Sequence, residues 1–412
     1  MRRSGTTRHR GRASRLVAAA AACGAVLAVL TAPQAGARPL GQDGAGPAAT
    51  SAAGSGRGGA HRAAKDPEGS HGAARDPEGS HGAAKVLGGV HWVAKDPGTP
   101  QVRFRGLAAV DRRTAWLAGT GGTVLRTTDG GTSWRNVSPP GAADAQFRDV
   151  TAFDARRAVV LAVGEGEASR VYRTDDGGIT WTESFRNTDP QAFYDCLTFF
   201  DRRHGLALSD PVDGRFRLLS TADGGRSWRV LPSAGMPPAL AGEAGFAASG
   251  QCLVASGPRD VWLATGGGAR ARVLHSADRG LTWTAADTPV TAGDPAKGVF
   301  ALAFRDRTHG IAVGGDYRPG RPSPDSAAVT ADGGRTWRPA ATPPPAYRSG
   351  AAWLPHSRTA ALAVGPAGTD LTTDGGRSWR TVDTGSYDTV ACTPDLGCWA
   401  AGERGRVARL ER

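Results

Sequence analysis

A stretch of fourteen residues, Val124 to Val137 (VLRTTDGGTSWRNV), limits what this chain can fold into, because its centre returns five more times. The copies are VYRTDDGGITW at Val171–Trp181, LLSTADGGRSW at Leu218–Trp228, VLHSADRGLTW at Val273–Trp283, AVTADGGRTW at Ala328–Trp337 and DLTTDGGRSW at Asp370–Trp379. Aligned on the tryptophan, each keeps Ser or Thr seven residues before it, Asp five before, Gly three before and Ser or Thr just before. The aspartates are Asp129, Asp176, Asp223, Asp278, Asp332 and Asp374. A tight hairpin explains the pattern: the carboxylate accepts hydrogen bonds from amides of its own turn, and Gly supplies a left-handed residue. The Trp then opens the next strand and brings a large apolar face to a core. These aspartates are therefore expected to be scaffold.

Successive tryptophans from Trp134 lie 47, 47, 55, 54 and 42 residues apart, the length of a four-stranded propeller blade. The rest of the unit repeats too. Each has an apolar strand (FRGLAAV from Phe104, FRDVTAF from Phe147, YDCLTFF from Tyr194), a turn, and a second strand (AWLAG, VVLAVG, GLALS, VWLATG, GIAVGG, AALAVG, CWAAG). Six hairpins imply six blades, yet there are seven second strands. The C-terminal piece Tyr387–Arg412 supplies three strands and lacks an outer one. His91-Trp92-Val93-Ala94-Lys95 offers it, with Trp92 standing where each repeat has its Trp. Closing a ring in this way removes open sheet edges. The expected fold is all-β: a seven-bladed β-propeller of four-stranded antiparallel blades over residues 86–412, its last blade closed by an N-terminal strand.

The pattern S/T-x-D-x-G-x-S/T-W resembles the Asp-box, or BNR, repeat of sialidases, sortilins and photosystem II assembly-factor-like propellers. The run FYDCLTFFDRRHGLALSDPVDGRF, with GEAGFAASG, GGDY, YRSG and GPAGTD after it, resembles a bacterial exported BNR-propeller family related to those assembly-factor-like proteins. In such families the box is scaffold, and the resemblance to assembly factors implies a partner-binding platform. Some members are labelled oxidoreductases. This chain has no GxGxxG on a βαβ unit, no haem CxxCH and no metal quartet, so no cofactor and no metal are expected.

The net charge of +12 looks like a nucleic-acid signal until it is placed along the chain: the first 37 residues hold six Arg and no acid. The remaining excess is modest, and no basic run is flanked by stacking aromatics, so no nucleic-acid partner is expected. Arg2, Arg3, Arg8, Arg10, Arg12 and Arg15 precede an apolar run, Leu16–Leu30, and an Ala35-Gly36-Ala37 site, which together read as a signal peptide over 1–37 cleaved near Ala37. The apolar run is too short for a stable membrane span after cleavage. The protein is thus expected to be secreted or associated with the cell envelope, and monomeric. Residues 38–85 are rich in Gly, Ala and Pro, carry ten-residue repeats and are expected to be disordered. Four cysteines follow in the exported part: Cys392 and Cys398 flank the turn TPDLG, and Cys196 and Cys252 fall at equivalent places in neighbouring repeats, so each pair is a disulfide candidate.

Residues that recur build blades; residues that break the pattern are better candidates for a site. At the start of the innermost strands runs the column Arg105, Arg148, Asp195, Gln251, Phe300, Arg348, Asp388, expected to form a mixed-charge ring at one mouth of the axial channel. Tyr194, Tyr347 and Tyr387 stand one residue before it. Long connections, SDPVDGR (Ser209–Arg215), AGEAGFAASGQ (Ala241–Gln251), GGGARAR (Gly266–Arg272) and GGDYRPGRPSPDS (Gly314–Ser326), open on the face opposite the box hairpins. They bring Asp210, Asp213, Glu243, Arg272, Asp316 and Tyr317 toward the same rim, where ligand sites gather. The leading expectation is a non-catalytic platform that binds a protein or glycan there. The alternative is a sialidase-like glycoside hydrolase in which Arg105, Arg148 and Arg348 clamp the sugar carboxylate, Tyr347 or Tyr387 is the nucleophile, Glu243 its base and Asp195 the acid.

Overall fold

The computed structural model describes residues 91–411. The expected signal peptide, its cleavage point and the repetitive tail lie outside them. The described residues form seven sheets, each of four antiparallel strands. In blade one the strands run Phe104–Ala109, Ala115–Gly119, Val124–Thr127 and Arg135–Asn136, paired in that order. Blades two to six follow consecutively along the chain. The seventh takes Thr389–Cys392, Cys398–Ala401 and Val407–Glu411 from the C-terminal end and His91–Ala94 from the other. Trp92 opposes Leu410 and Ala94 opposes Ala408, which is the register in which Asn136 opposes Leu125 in blade one.

The second strand of each blade is packed on both faces, and its sequence shows why: AWLAG, AVVLAV and CWAA are apolar without alternation, and every residue in them is buried. Trp116, Trp262 and Trp399 have no exposed surface. The box tryptophans bridge blades by packing edge-on against these strands: Trp181 meets Trp116 at 6.4 Å between ring centroids, and Trp134 meets Trp399 at 6.0 Å across the ring's closure.

The hairpins are closed as their composition requires. Asp129 accepts from Thr127 Oγ1 at 2.8 Å, from the Ser133 amide at 3.0 Å and from Ser133 Oγ at 2.6 Å, while the Gly131 amide donates back to Thr127 Oγ1 at 3.0 Å. Asp176, Asp223 and Asp332 repeat these contacts, and all four carboxyls are held down at about 2. Asp278 and Asp374 make the equivalent amide contacts and are also lowered. All six aspartates are thus spent on their own turns.

These hairpins sit beside the turns between first and second strands: the Gly130 amide bonds to Arg113 O, Gly177 to Arg156 O and Gly224 to Arg203 O. The connections between second and third strands, and those that lead into each new blade, open on the opposite face. Both expected disulfides are present, Cys196–Cys252 with Cα atoms 6.1 Å apart and Cys392–Cys398 at 4.0 Å.

Candidate functional site

The column read from the sequence has a structural basis that the sequence did not show. Arg105, Arg148, Asp195 and Phe300 are each the extra residue of a β-bulge, skipped when the register shifts between Phe104 and Gly106, Phe147 and Asp149, Tyr194 and Cys196, and Val299 and Ala301. A bulge leaves one residue out of the ladder and re-aims its side chain. Repeated around a ring, it turns those side chains to the axis.

What they meet there is protein. The connection Ala241–Gln251 enters the channel and makes contact with blades two to seven. Arg148 Nη1 of blade two donates to Ala247 O at 3.3 Å, and Phe246 stacks on Phe300 of blade five with centroids 3.9 Å apart. Thr389 Oγ1 of blade seven donates to Ser249 O at 3.2 Å. Gln251 spans the axis: its Nε2 donates to Ala351 O and Val390 O, both at 3.0 Å, and its Oε1 accepts from the Ala351 amide at 2.9 Å. The Cys196–Cys252 disulfide fastens the end of this segment to blade three. The channel is therefore stoppered by a loop, and the expected open ring of charges is corrected to a half-ring above a plug.

Three carboxyls lie against the plug, Asp149 and Asp195 buried and Asp210 half-buried. Asp210 accepts from the Gly245 amide at 2.8 Å, and a side chain on Gly245 would meet Asp195 Oδ2 at 3.2 Å. Asp149 accepts from the Leu197 amide at 2.7 Å and lies against Gly250. Burial raises all three, Asp149 to about 8 and Asp210 to about 6, with the neighbouring Asp210 adding to the rise at Asp195. Asp195 is 2% exposed. It cannot reach a substrate as the acid that the hydrolase alternative requires.

Above the plug lies the candidate site. Arg103, which sequence reasoning missed, clamps Asp388 through Nε to Oδ2 at 2.6 Å and Nη2 to Oδ1 at 2.7 Å. Arg105 and Arg148 have no such partner: neither forms an ion pair among the described residues, and Arg105 Nε is buried without an acceptor. Burial lowers both, followed by repulsion from Arg103 at Arg105 and from Arg105 at Arg148; Arg148, at about 10, remains a cation at neutral pH. Beside them stands an aromatic cluster. Tyr347 and Tyr317 set their edges against Phe300 at 4.7 and 6.0 Å, and Tyr317 is 51% exposed. Burial and then Asp388 push the Tyr347 hydroxyl up, so it remains a neutral phenol. Cations short of carboxylates next to half-open aromatic rings suit an acidic group carried on an apolar or aromatic stem.

Other expected members of the rim are engaged elsewhere. Arg348 is fully buried and donates from Nε to Asp370 Oδ2 at 2.5 Å, so the Arg105–Arg148–Arg348 triad is not assembled. Glu243 is paired with Arg272 (Nε to Oε1, 2.8 Å) and accepts from Thr265 Oγ1 at 2.6 Å, so it does not activate a tyrosine. Asp316 is gripped by Arg318, Nε to Oδ1 at 2.8 Å. Asp213 is exposed at a hairpin tip with φ of 54°. Tyr194 and Tyr387 are buried between blades, edge-on to Phe185 and beside Trp92 respectively, and burial raises each to about 12. Arg103 had one signal in the sequence, as a further Arg two residues before the column; Asp370 and Asp149 had none, because only the fold brings them to their partners.

Residues 172–183, one copy of the hairpin, match the BNR/Asp-box repeat family. No curated protein matches the chain. Among solved structures, YCF48 from Cyanidioschyzon merolae is similar over 78% of this chain and 98% of its own, at 15% identity and a TM-score of 0.55. YCF48 bound to a D1 peptide is similar over 78% and 95%, at 14% identity and a TM-score of 0.54. A streptogramin B lyase is similar over 78% and 97%, at 11% identity and a TM-score of 0.57. Identities this low speak for the fold alone, and the neighbours include both a peptide-bound protein and an enzyme. With strand order, closure and hairpin chemistry in agreement, the described residues form a seven-bladed β-propeller, one of whose repeated hairpins matches the BNR/Asp-box repeat.

Proposed function

We propose that this propeller is a non-catalytic interaction platform, and that the mouth above the plug takes a carboxylate-bearing segment of a partner protein between Arg105, Arg148 and the Tyr317–Tyr347 shelf. One observation carries the reading: two neighbouring, half-buried guanidiniums lie at the mouth with no carboxylate in ion-pair contact. Holding them there is costly unless an anion joins them. That YCF48, a propeller of the same fold, has been seen bound to a D1 peptide supports a peptide as ligand. The hydrolase alternative loses its support in the pairings of Arg348 with Asp370 and Glu243 with Arg272. We further propose that the protein acts outside the cytoplasm, as its first 37 residues imply.

The test is co-purification of the exported chain with crosslinking, followed by peptide binding to the partner segment identified. Arg105→Ala and Arg148→Ala should each weaken binding about tenfold with the melting temperature unchanged, the scale of a lost charge-assisted pair. Partner binding indifferent to both substitutions would end the proposal, as would turnover of a fluorogenic sialoside that either substitution abolishes.

A further inference from the structure

Two residues before the Trp of each box there is one slot whose amide serves the turn but whose side chain the repeat leaves open. It is filled by Thr132, Arg226, Arg335 and Arg377 in four repeats, but by Ile179 and Leu281 in the other two. Both aliphatics stand out from the box face, Ile179 at 81% exposure and Leu281 at 56%. A third, Leu396, projects from the first turn of blade seven on the same face at 38%. Singly exposed aliphatics are ordinary on a protein surface. These three, however, occupy turns on the same face of blades two, four and seven, spaced around the ring.

The surface between them is cationic. Arg113, Arg156, Arg259, Arg335, Arg358 and Arg377 are exposed on this face and form no ion pair among the described residues. The acids that share their turns are drawn inward by the backbone: Asp111 accepts from the amides of Arg113 and Thr114, Asp154 from Arg156 and Arg157, and the box aspartates from their own hairpins. The long side chains therefore reach further into solvent than the carboxylates beneath them. Next to Leu396, a cavity of about 320 Å³ is lined by Arg112, Leu396, Leu410 and the Arg409–Glu411 ion pair, which sets aliphatic walls beside the Arg112 cation.

We propose that the box face docks on an anionic lipid bilayer, with Ile179, Leu281 and Leu396 entering the headgroup layer and the surrounding arginines lying against lipid phosphates. Isolated protrusions with charge between them fit a deformable surface better than a rigid protein partner, which would need one contiguous apolar patch. Arginine suits phosphate because its fork makes two parallel hydrogen bonds. No helix among the described residues is long and apolar enough to cross a membrane, so this contact lies on the surface. It would leave the Arg105–Arg148 mouth facing away from the bilayer and open to a partner, and it stands or falls independently of what that mouth binds.

The experiment places an environment-sensitive dye at Ile179→Cys or Leu281→Cys in the full chain carrying Cys23→Ser, the other four cysteines being paired. On addition of phosphatidylglycerol–phosphatidylcholine vesicles at low salt, both labels should shift to the blue. A label at Val382→Cys, on the outer strand of blade six, should not. Ile179→Ser with Leu281→Ser should lower vesicle affinity about tenfold or more, and removal of Arg113, Arg156 and Arg335 should lower it further and flatten its salt dependence. Labels that stay in water on bound vesicles, an equal response at residue 382, or an unchanged affinity in the serine variant would overturn the proposal. So would equal binding to soluble heparin that does not need the aliphatic tips, which would show a polyanion surface with no lipid preference.

Discussion

Arg105 and Arg348 occupy one column of the repeat and do opposite work. Arg348 is buried against Asp370, whose other oxygen accepts from Thr381 Oγ1 at 2.7 Å. Removing one partner of such a pair leaves an uncompensated buried charge, so Arg348→Ala should cost about 3–5 kcal/mol in denaturant melts, while Arg105→Ala should change binding and leave stability nearly unmoved. Asp149 gives a second residue-scale prediction. Its carboxyl is raised to about 8 in the fold, against about 4 in an unfolded chain, so the folded protein keeps a proton that the unfolded chain releases. Stability from this group is intact below about pH 4 and declines as pH rises towards 8. Asp149→Asn keeps an acceptor for the Leu197 amide and should remove that decline, raising the melting temperature more at pH 8 than at pH 5. The box aspartates run the other way: lowered to about 2, they stabilise the fold above pH 4 and lose that contribution as pH falls towards 2. Circular dichroism across both windows separates the two effects.

At the scale of elements, the plug is the feature on which the site depends. It is short of side chains where blades press on it. Gly250 has φ of 76°, and a Cβ there would meet Asp149 Oδ1 at 2.4 Å. Gly250→Ala should therefore push the segment out of its seat and destabilise the protein, and restoring space with Asp149→Ala should recover only part of the loss because the backbone strain remains. The Cys196–Cys252 bridge closes a loop of 56 residues, and its loss in Cys196→Ser with Cys252→Ser should cost about 2–4 kcal/mol in melts run against the oxidised parent. Hydrogen exchange should localise the loosening to residues near the plug. Exchange spread evenly around the ring would show that the bridge acts only through the unfolded chain.

For the whole molecule the decisive element is the strand His91–Ala94. It covers the free edge of Val407–Glu411, and Trp92 reaches blade six through Nε1 to Thr369 Oγ1 at 3.1 Å. Deleting residues through Ala94 should expose that edge and lower stability, and the truncated protein should associate through the open sheet. Size-exclusion chromatography would show this as a dimer or larger species. Trp92→Ala keeps the backbone pairing and should cost about 2–3 kcal/mol without oligomerisation, since it removes packing but leaves the ladder intact.

What belonged to the sequence was everything carried by repetition. Six hairpins, seven second strands and a lone Trp at His91–Ala94 specified the blade count, the closure and the work of the box aspartates: the aspartates act on neighbours a few residues away, and the count and closure follow from one unit repeated along the chain with a strand missing at its end. The two disulfides were legible in the same way, from equivalent positions and a turn. The site was only half legible. The column of Arg105, Arg148, Asp195 and Phe300 stood out, yet its bulges did not, since a bulge is a property of two paired strands. That Ala241–Gln251 fills the channel, that Asp370 claims Arg348 and Asp388 claims Arg103, and that two guanidiniums are left without partners were decided by the closed ring alone. Closure brings residues 100 or more positions apart to one axis, and there geometry rather than local spacing selects which charges meet.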